Sequence, residues 1–135
     1  MTLADYALYT YHVVKFYDER KVKFITNRIA VYTYSSIGND KHIAEALNKI
    51  EVFVARIFGN VKCEIYADSN SNERENFEKL MDNVRANKYD VLIVPTLNRL
   101  YRVYPENPES EKRFMEIWDE LKRHGVKVID YSKQK

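Results

Sequence analysis

Leu92-Ile-Val-Pro-Thr-Leu-Asn-Arg-Leu-Tyr-Arg102 decides how the rest of this 135-residue chain is read. An apolar run from Tyr89 to Val94 stops at Pro95, and two arginines follow it, three residues apart. A run that is apolar throughout fits a strand covered on both faces, the position of a central strand in a parallel sheet. In open α/β sheets, ligands sit outside the carboxyl ends of such strands. If the segment after the proline is helical, Arg99 and Arg102 lie one turn apart, and both guanidinium groups can face one anion. A second β-branched and aromatic run, Ile29-Ala-Val-Tyr-Thr-Tyr-Ser-Ser36, ends in two hydroxyls. Serines and arginines at neighbouring strand ends point to a site for a phosphodiester.

Periodicity supplies the elements around this pair of strands. After the first strand (28–34), a helix is expected over 41–58, burying Ile43, Leu47, Ile50, Val54 and Ile57 or Phe58, with Gly59 ending it. A strand over 61–66 and a polar loop, Asp68 to Glu73, come next. A helix over 74–87 follows, burying Phe77, Leu80, Met81 and Val84. Beyond the strand at 89–94, a long loop is expected over 95–110, then a helix over 111–124 with Phe114, Ile117, Trp118 and Leu121 inward. Gly125 caps that helix, and a strand covers 126–130. Strand–helix repeated three times and closed by a strand implies a three-layer α/β fold with a mainly parallel four-stranded sheet. Right-handed crossovers make 2-1-3-4 the simplest strand order, with its switch point between the first and third strands. Ahead of this unit, Leu3, Tyr6, Ala7, Thr10, Val13, Val14 and Tyr17 fall at helical spacing, with Thr2 as N-cap. The chain therefore divides into an N-terminal helical extension, 1–27, and an α/β domain, 28–135.

Composition bounds the function classes. Net charge is +2, so the chain is not polybasic, and any affinity for DNA is local or supplied by another segment. The eleven tyrosines provide amphipathic surface, and those near the N-terminus suit an interface. The one cysteine, Cys63, allows no internal disulfide and fits a reducing cytoplasm; in a strand it reads as a small buried apolar residue. No secretory signal is expected, and no apolar run approaches the roughly 20 residues of a membrane-spanning helix. His12, His42 and His124 are scattered and lack carboxylates at ligand spacing, so no metal is expected. With three glycines, Gly38, Gly59 and Gly125, there is no glycine-rich phosphate loop, and no nucleotide or other cofactor is implied.

Taken singly, the candidate residues are ordinary. A serine after a strand is commonly a turn former, and arginines are commonly solvated. Arg74 at a helix start is mildly unfavourable for the helix dipole, which leaves room for another group to hold it, but read alone it too is more commonly a solvated cation. The case rests on Ser36, Arg74, Arg99 and Arg102 together, at the ends of three successive parallel strands.

At this point the sequence resembles the catalytic domain of the serine recombinases, the resolvase and invertase family. Ala30-Val-Tyr-Thr-Tyr-Ser-Ser36 resembles the family's opening strand, approximately Ala-Ile-Tyr-x-Arg-Val-Ser. Tyr66-Ala-Asp-Ser-Asn-Ser-Asn-Glu-Arg-Glu-Asn-Phe77 resembles its Asp, Ser-rich loop and Arg-x-x-Leu segment. Tyr89 to Arg102 resembles the Leu-Asp-Arg-Leu-x-Arg signature, the most specific of the three, and Gly125 to Asp130 fits the fourth strand. The resemblance covers about residues 28–131. It implies a serine nucleophile, Ser36, that attacks a DNA phosphodiester and becomes joined to a 5′-phosphate. It implies a phosphate clamp of Arg74, Arg99 and Arg102, no metal, and self-association as a dimer or tetramer. Such proteins usually continue into a long helix and a separate DNA-binding domain, whereas this sequence stops at Lys135.

Two positions depart from the family pattern. Tyr34 stands where the first strand should supply an arginine, and Asn98 stands where the signature has an aspartate. Loss of one charge-stabilising donor costs on the order of 10²–10³ in rate, and an amide cannot exchange a proton as a carboxyl does. Three readings follow: a recombinase catalytic domain, a degenerate recombinase-like domain acting in protein association or regulation, and an unrelated flavodoxin-like domain binding a phosphorylated small molecule.

Overall fold

Residues 26–35, 40–69 and 74–134 are described by a computed structural model. The expected N-terminal helix and Ser36 lie outside the described residues. Four strands, β1 (Ile29–Ser35), β2 (Cys63–Ser69), β3 (Val91–Val94) and β4 (Lys127–Asp130), form one parallel sheet in the order β2-β1-β3-β4. This is the expected 2-1-3-4 order, with its switch point between β1 and β3. Three helices connect the strands: α1 (Asp40–Phe58), α2 (Glu75–Arg85) and α3 (Pro108–Arg123).

Strand alternation divides the core in two. Ala30, Tyr32, Leu92, Val94 and Val128 face α2 and α3 and bury Phe77, Leu80, Met81, Val84, Phe114 and Leu121. Ile29, Val31, Val91, Ile93 and Ile129 face α1 and meet Ile50, Phe53 and Val54. All four residues of β3 are buried, as a strand covered on both faces requires. Right-handed crossovers account for the layers. The step from β1 out to β2 places α1 on one face, and the two steps back across the sheet place α2 and α3 on the other.

Several boundaries differ from the periodicity. β2 runs on to Ser69, through residues that read as a polar loop, because it pairs with the whole of β1 in register. The loop after β3 is shorter than expected, since α3 starts at Pro108. Asn107 caps it, its Oδ1 accepting from the Glu109 amide at 3.1 Å, and Pro108 takes the first helical position, where a missing N–H costs nothing. Gly59 and Gly125 both have positive φ, 82° and 72°, as residues that close a helix in the left-handed region do. Ile43 and Leu47 are only half-buried, and Phe53 occupies the core of that face instead. Cys63 is likewise half-buried rather than internal, because β2 is an edge strand.

The Asn107 cap is testable. Replacement by alanine should cost about 1 kcal/mol, and replacement by serine almost nothing. Urea unfolding of Asn107→Ala and Asn107→Ser measures both.

Candidate functional site

The site is built at the carboxyl ends of the strands, starting from Asp68 near the end of β2. This carboxylate is buried, 7 % exposed. Its Oδ1 accepts from the Asn76 amide at 3.0 Å, and its Oδ2 from the Phe77 amide at 3.0 Å. Asp68 thus caps α2 from across a loop, placing negative charge against the helix's positive end. The same Oδ2 accepts a hydrogen bond from the Tyr32 hydroxyl at 2.8 Å. Burial pushes the pKa of Tyr32 well above its usual value, against the pull of Arg74, so the phenol stays neutral and remains a donor.

Arg74 sits one residue ahead of α2 and makes no side-chain cap of its own. Its Nε donates to the Tyr32 hydroxyl at 3.2 Å. Its two terminal nitrogens donate to the carbonyl oxygens of Leu100 at 2.5 Å and Arg99 at 2.7 Å. The guanidinium also lies 4.0 Å from the Phe77 ring centroid, 5.2 Å from that of Tyr32 and 5.7 Å from that of Tyr34. These carbonyls and rings are what hold a cation at an electrostatically unfavourable helix start. A guanidinium has five N–H groups, of which three are used here and two remain for another acceptor.

The turn that Arg74 grips is the signature segment. Leu97–Arg99 form one 3-10 turn, closed by bonds from Arg99 N to Thr96 O (3.1 Å) and from Leu100 N to Leu97 O (3.0 Å). From the other side, buried Asp130 at the end of β4 accepts from the Leu97 amide at 3.2 Å. Its second oxygen accepts from the amide and hydroxyl of Ser132. The turn is therefore pinned from β1 and α2 through Arg74, and from β4 through Asp130.

Of the sequence candidates, Arg74, Arg99 and Tyr34 meet at this end of the sheet. Among the described residues the Arg99 side chain has no hydrogen-bond or ion-pair partner, and the residue is half-buried. Arg102 does not continue a helix with Arg99. The 3-10 turn stops at Arg99, and Arg102 follows on irregular chain, exposed, with its guanidinium 5.4 Å from the Tyr104 ring centroid. Runs of 3-10 helix are short, and Pro105 disfavours helix at the residue before it. Asn98 turns its Oδ1 to the Thr96 hydroxyl, which donates to it. The residues missed from sequence are Tyr32, Asp68 and Asp130. The alternation of Glu64, Tyr66 and Asp68 would have placed Asp68 on the α2 face, had β2 been extended to Ser69.

Behind Arg74 a cleft of about 440 Å³ runs between α2 and α3. Arg74 lines it together with two arginines paired to carboxylates, Arg85 with Glu120 at 2.6 Å and Arg113 with Glu116 at 3.8 Å. Arg99 and Arg102, which make no ion pair among the described residues, follow the carboxyl end of β3 instead. Among the described residues no cluster of His, Cys, Asp or Glu is arranged to hold a metal ion, and no helix is long and apolar enough to cross a membrane.

A parallel α/β domain of order 2-1-3-4, with an arginine-bearing turn pinned at its switch point, is the class of protein this geometry defines. The sequence matches the family "Resolvase, N terminal domain" over residues 29–135, and the chain belongs to that family, the catalytic domain of the serine recombinases. Its fold is that of solved serine recombinases. One is the C-terminal catalytic domain of ISC1926 TnpA, an IS607-like serine recombinase (TM-score 0.58, 21 % identity, covering 74 % of this chain and 66 % of that one). Another is a serine recombinase from Sulfolobus solfataricus (TM-score 0.52, 15 % identity, covering 75 % and 65 %). The chain thus spans just under two thirds of each of these relatives. No curated protein sequence matches it.

The arginines should separate in a stability measurement. Arg74→Lys cannot satisfy three directed acceptors and should lose about 1–3 kcal/mol. Arg99→Ala breaks no ion pair among the described residues and should stay within about 0.5 kcal/mol of the parent. Thermal unfolding of the two variants tests the division.

Proposed function

We propose that this chain is the catalytic domain of a serine recombinase, cutting and rejoining DNA through a phosphoserine linkage. The observation that carries this reading is Arg99, a cation without a carboxylate partner among the described residues, on a turn pinned at the sheet's switch point. Ser36 Oγ attacks the phosphorus, and the bond to the 3′ oxygen breaks. That oxygen leaves as a free hydroxyl with the proton, and the chain is joined to the 5′-phosphate. Rejoining is the reverse. A serine hydroxyl is a weak nucleophile until activated, and charge builds on the phosphate oxygens as it attacks. Guanidinium groups match those oxygens bidentately and stay charged at every working pH, so Arg99 and Arg102 carry the neutralisation. Arg74 adds its two remaining N–H groups, and no metal or other cofactor enters. Its partners are DNA, held with the help of a separate DNA-binding segment, and further copies of itself as a dimer or tetramer. The setting is cytoplasmic.

A second reading, a degenerate domain that keeps the fold and acts in association or regulation, has its own support. The Tyr34 ring lies beside Arg74 where a further cation is expected, and Asn98 offers an amide where a carboxyl is expected.

One experiment separates the two. Incubation with a pool of nicked DNA duplexes should give a covalent adduct of a 5′-phosphate on Ser36, absent from Ser36→Ala and identified by mass spectrometry. The double variant Tyr34→Arg/Asn98→Asp should raise the yield by about 10²-fold or more. If neither the parent nor this variant forms an adduct, the degenerate reading replaces the first.

A further inference from the structure

The two faces of the sheet are covered unequally. Four strands spaced about 4.8 Å apart make a sheet roughly 14 Å across between its outer strands, and one helix is about 10 Å wide. The Tyr32 face carries two helices, α2 and α3. The opposite face carries one among the described residues, α1, packed over β1, β3 and β4. What α1 leaves open is the flank over β2: a groove of about 550 Å³ walled by Leu47, Ile50 and Val54 of α1 and by Val61, Cys63 and Ile65. Ile65 is 44 % exposed there, an apolar residue on an edge strand. An open apolar flank on an edge strand is a surface built to be covered.

We infer that residues 3–17 of this chain lie in that groove as an amphipathic helix and complete the α1 face of the sheet. Leu3, Tyr6, Ala7, Thr10, Val13, Val14 and Tyr17 give the segment one apolar stripe. A helix of that length measures about 22 Å, enough to run beside the stretch of β2 that lines the groove. The chain also enters in the right place. Thr26 bonds Asp90 at 2.9 Å and Arg28 bonds the Lys88 carbonyl at 3.0 Å, both at the amino end of the sheet. Three residues on, Ile29 pairs with Cys63 in the groove wall, and the groove's own end at Gly59 and Val61 lies at that same end. The connector of residues 18–25 reaches up to about 26 Å when extended, so the segment can turn back along β2. A second copy of the chain is the competing occupant.

The groove contains its own reporter, the thiol of Cys63. In the full-length chain at fixed pH, alkylation of Cys63 should be slow at every protein concentration. In Tyr6→Asp/Val13→Asp it should be about tenfold faster or more, as local exposure of a covered site requires. From the other side, Ile65→Asp places a charge in the groove at an exposed position that the fold tolerates. It should abolish amide hydrogen-exchange protection over residues 3–17 while leaving β3 protected. Alkylation and exchange rates unchanged in these variants would overturn the inference. Protection that appears only as protein concentration rises would overturn it too, and would assign the groove to a second copy.

Discussion

Asp68 is a buried carboxylate at the positive end of a helix, and the geometry of the site is built on that one placement. It satisfies the first free amides of α2 and fixes where that helix begins, and with it Arg74. It also orients the Tyr32 hydroxyl, which can then accept from Arg74 while donating to Asp68. Arg74 in turn fastens the carbonyls of the Arg99 turn. Each link hands on a direction as well as an energy. The Asp68 carboxylate cannot bond the carbonyls of Arg99 and Leu100, because both are acceptors, so an arginine stands between them.

The arginines therefore divide the work in a way their spacing does not reveal. Arg74 is largely consumed as a bracket between β1, α2 and the turn, with two N–H groups to spare. Arg99 is delivered by that bracket, and its own guanidinium is uncommitted among the described residues. Arg102 stands further out on irregular chain. Tyr34 adds a ring beside Arg74, apolar cover rather than charge. Asp130 holds the opposite shoulder, so the turn is located by three strands of the sheet instead of by its own short 3-10 bonds.

The layered fold was legible because burial repeats with a period. The four apolar residues of α2 and the unbroken apolar run of β3 place both elements, and the alternation of strands with helices then leaves few topologies. The resolvase resemblance was legible in the signature turn and the strand before it. Less legible were contacts between residues distant in the chain. The Tyr32–Asp68 bond spans 36 residues and the Leu97–Asp130 bond spans 33, and neither leaves a periodic trace. Asp68 looked like loop because polarity outweighed register, and Asn107 fell inside the expected loop 95–110, where Pro95, Pro105 and Pro108 interrupt any helical period. Helix capping by a residue as distant as Asp68 is invisible to any local pattern.

Amide hydrogen exchange in Arg74→Ala tests the dependence of the turn on its bracket most directly. The account predicts that protection of the Arg99 and Leu100 amides falls to that of open chain, while the β3 amides, Leu92 among them, keep the protection of the parent. Unchanged protection at Arg99 and Leu100 would contradict it, and would mean that Asp130 and the 3-10 bonds hold the turn without Arg74.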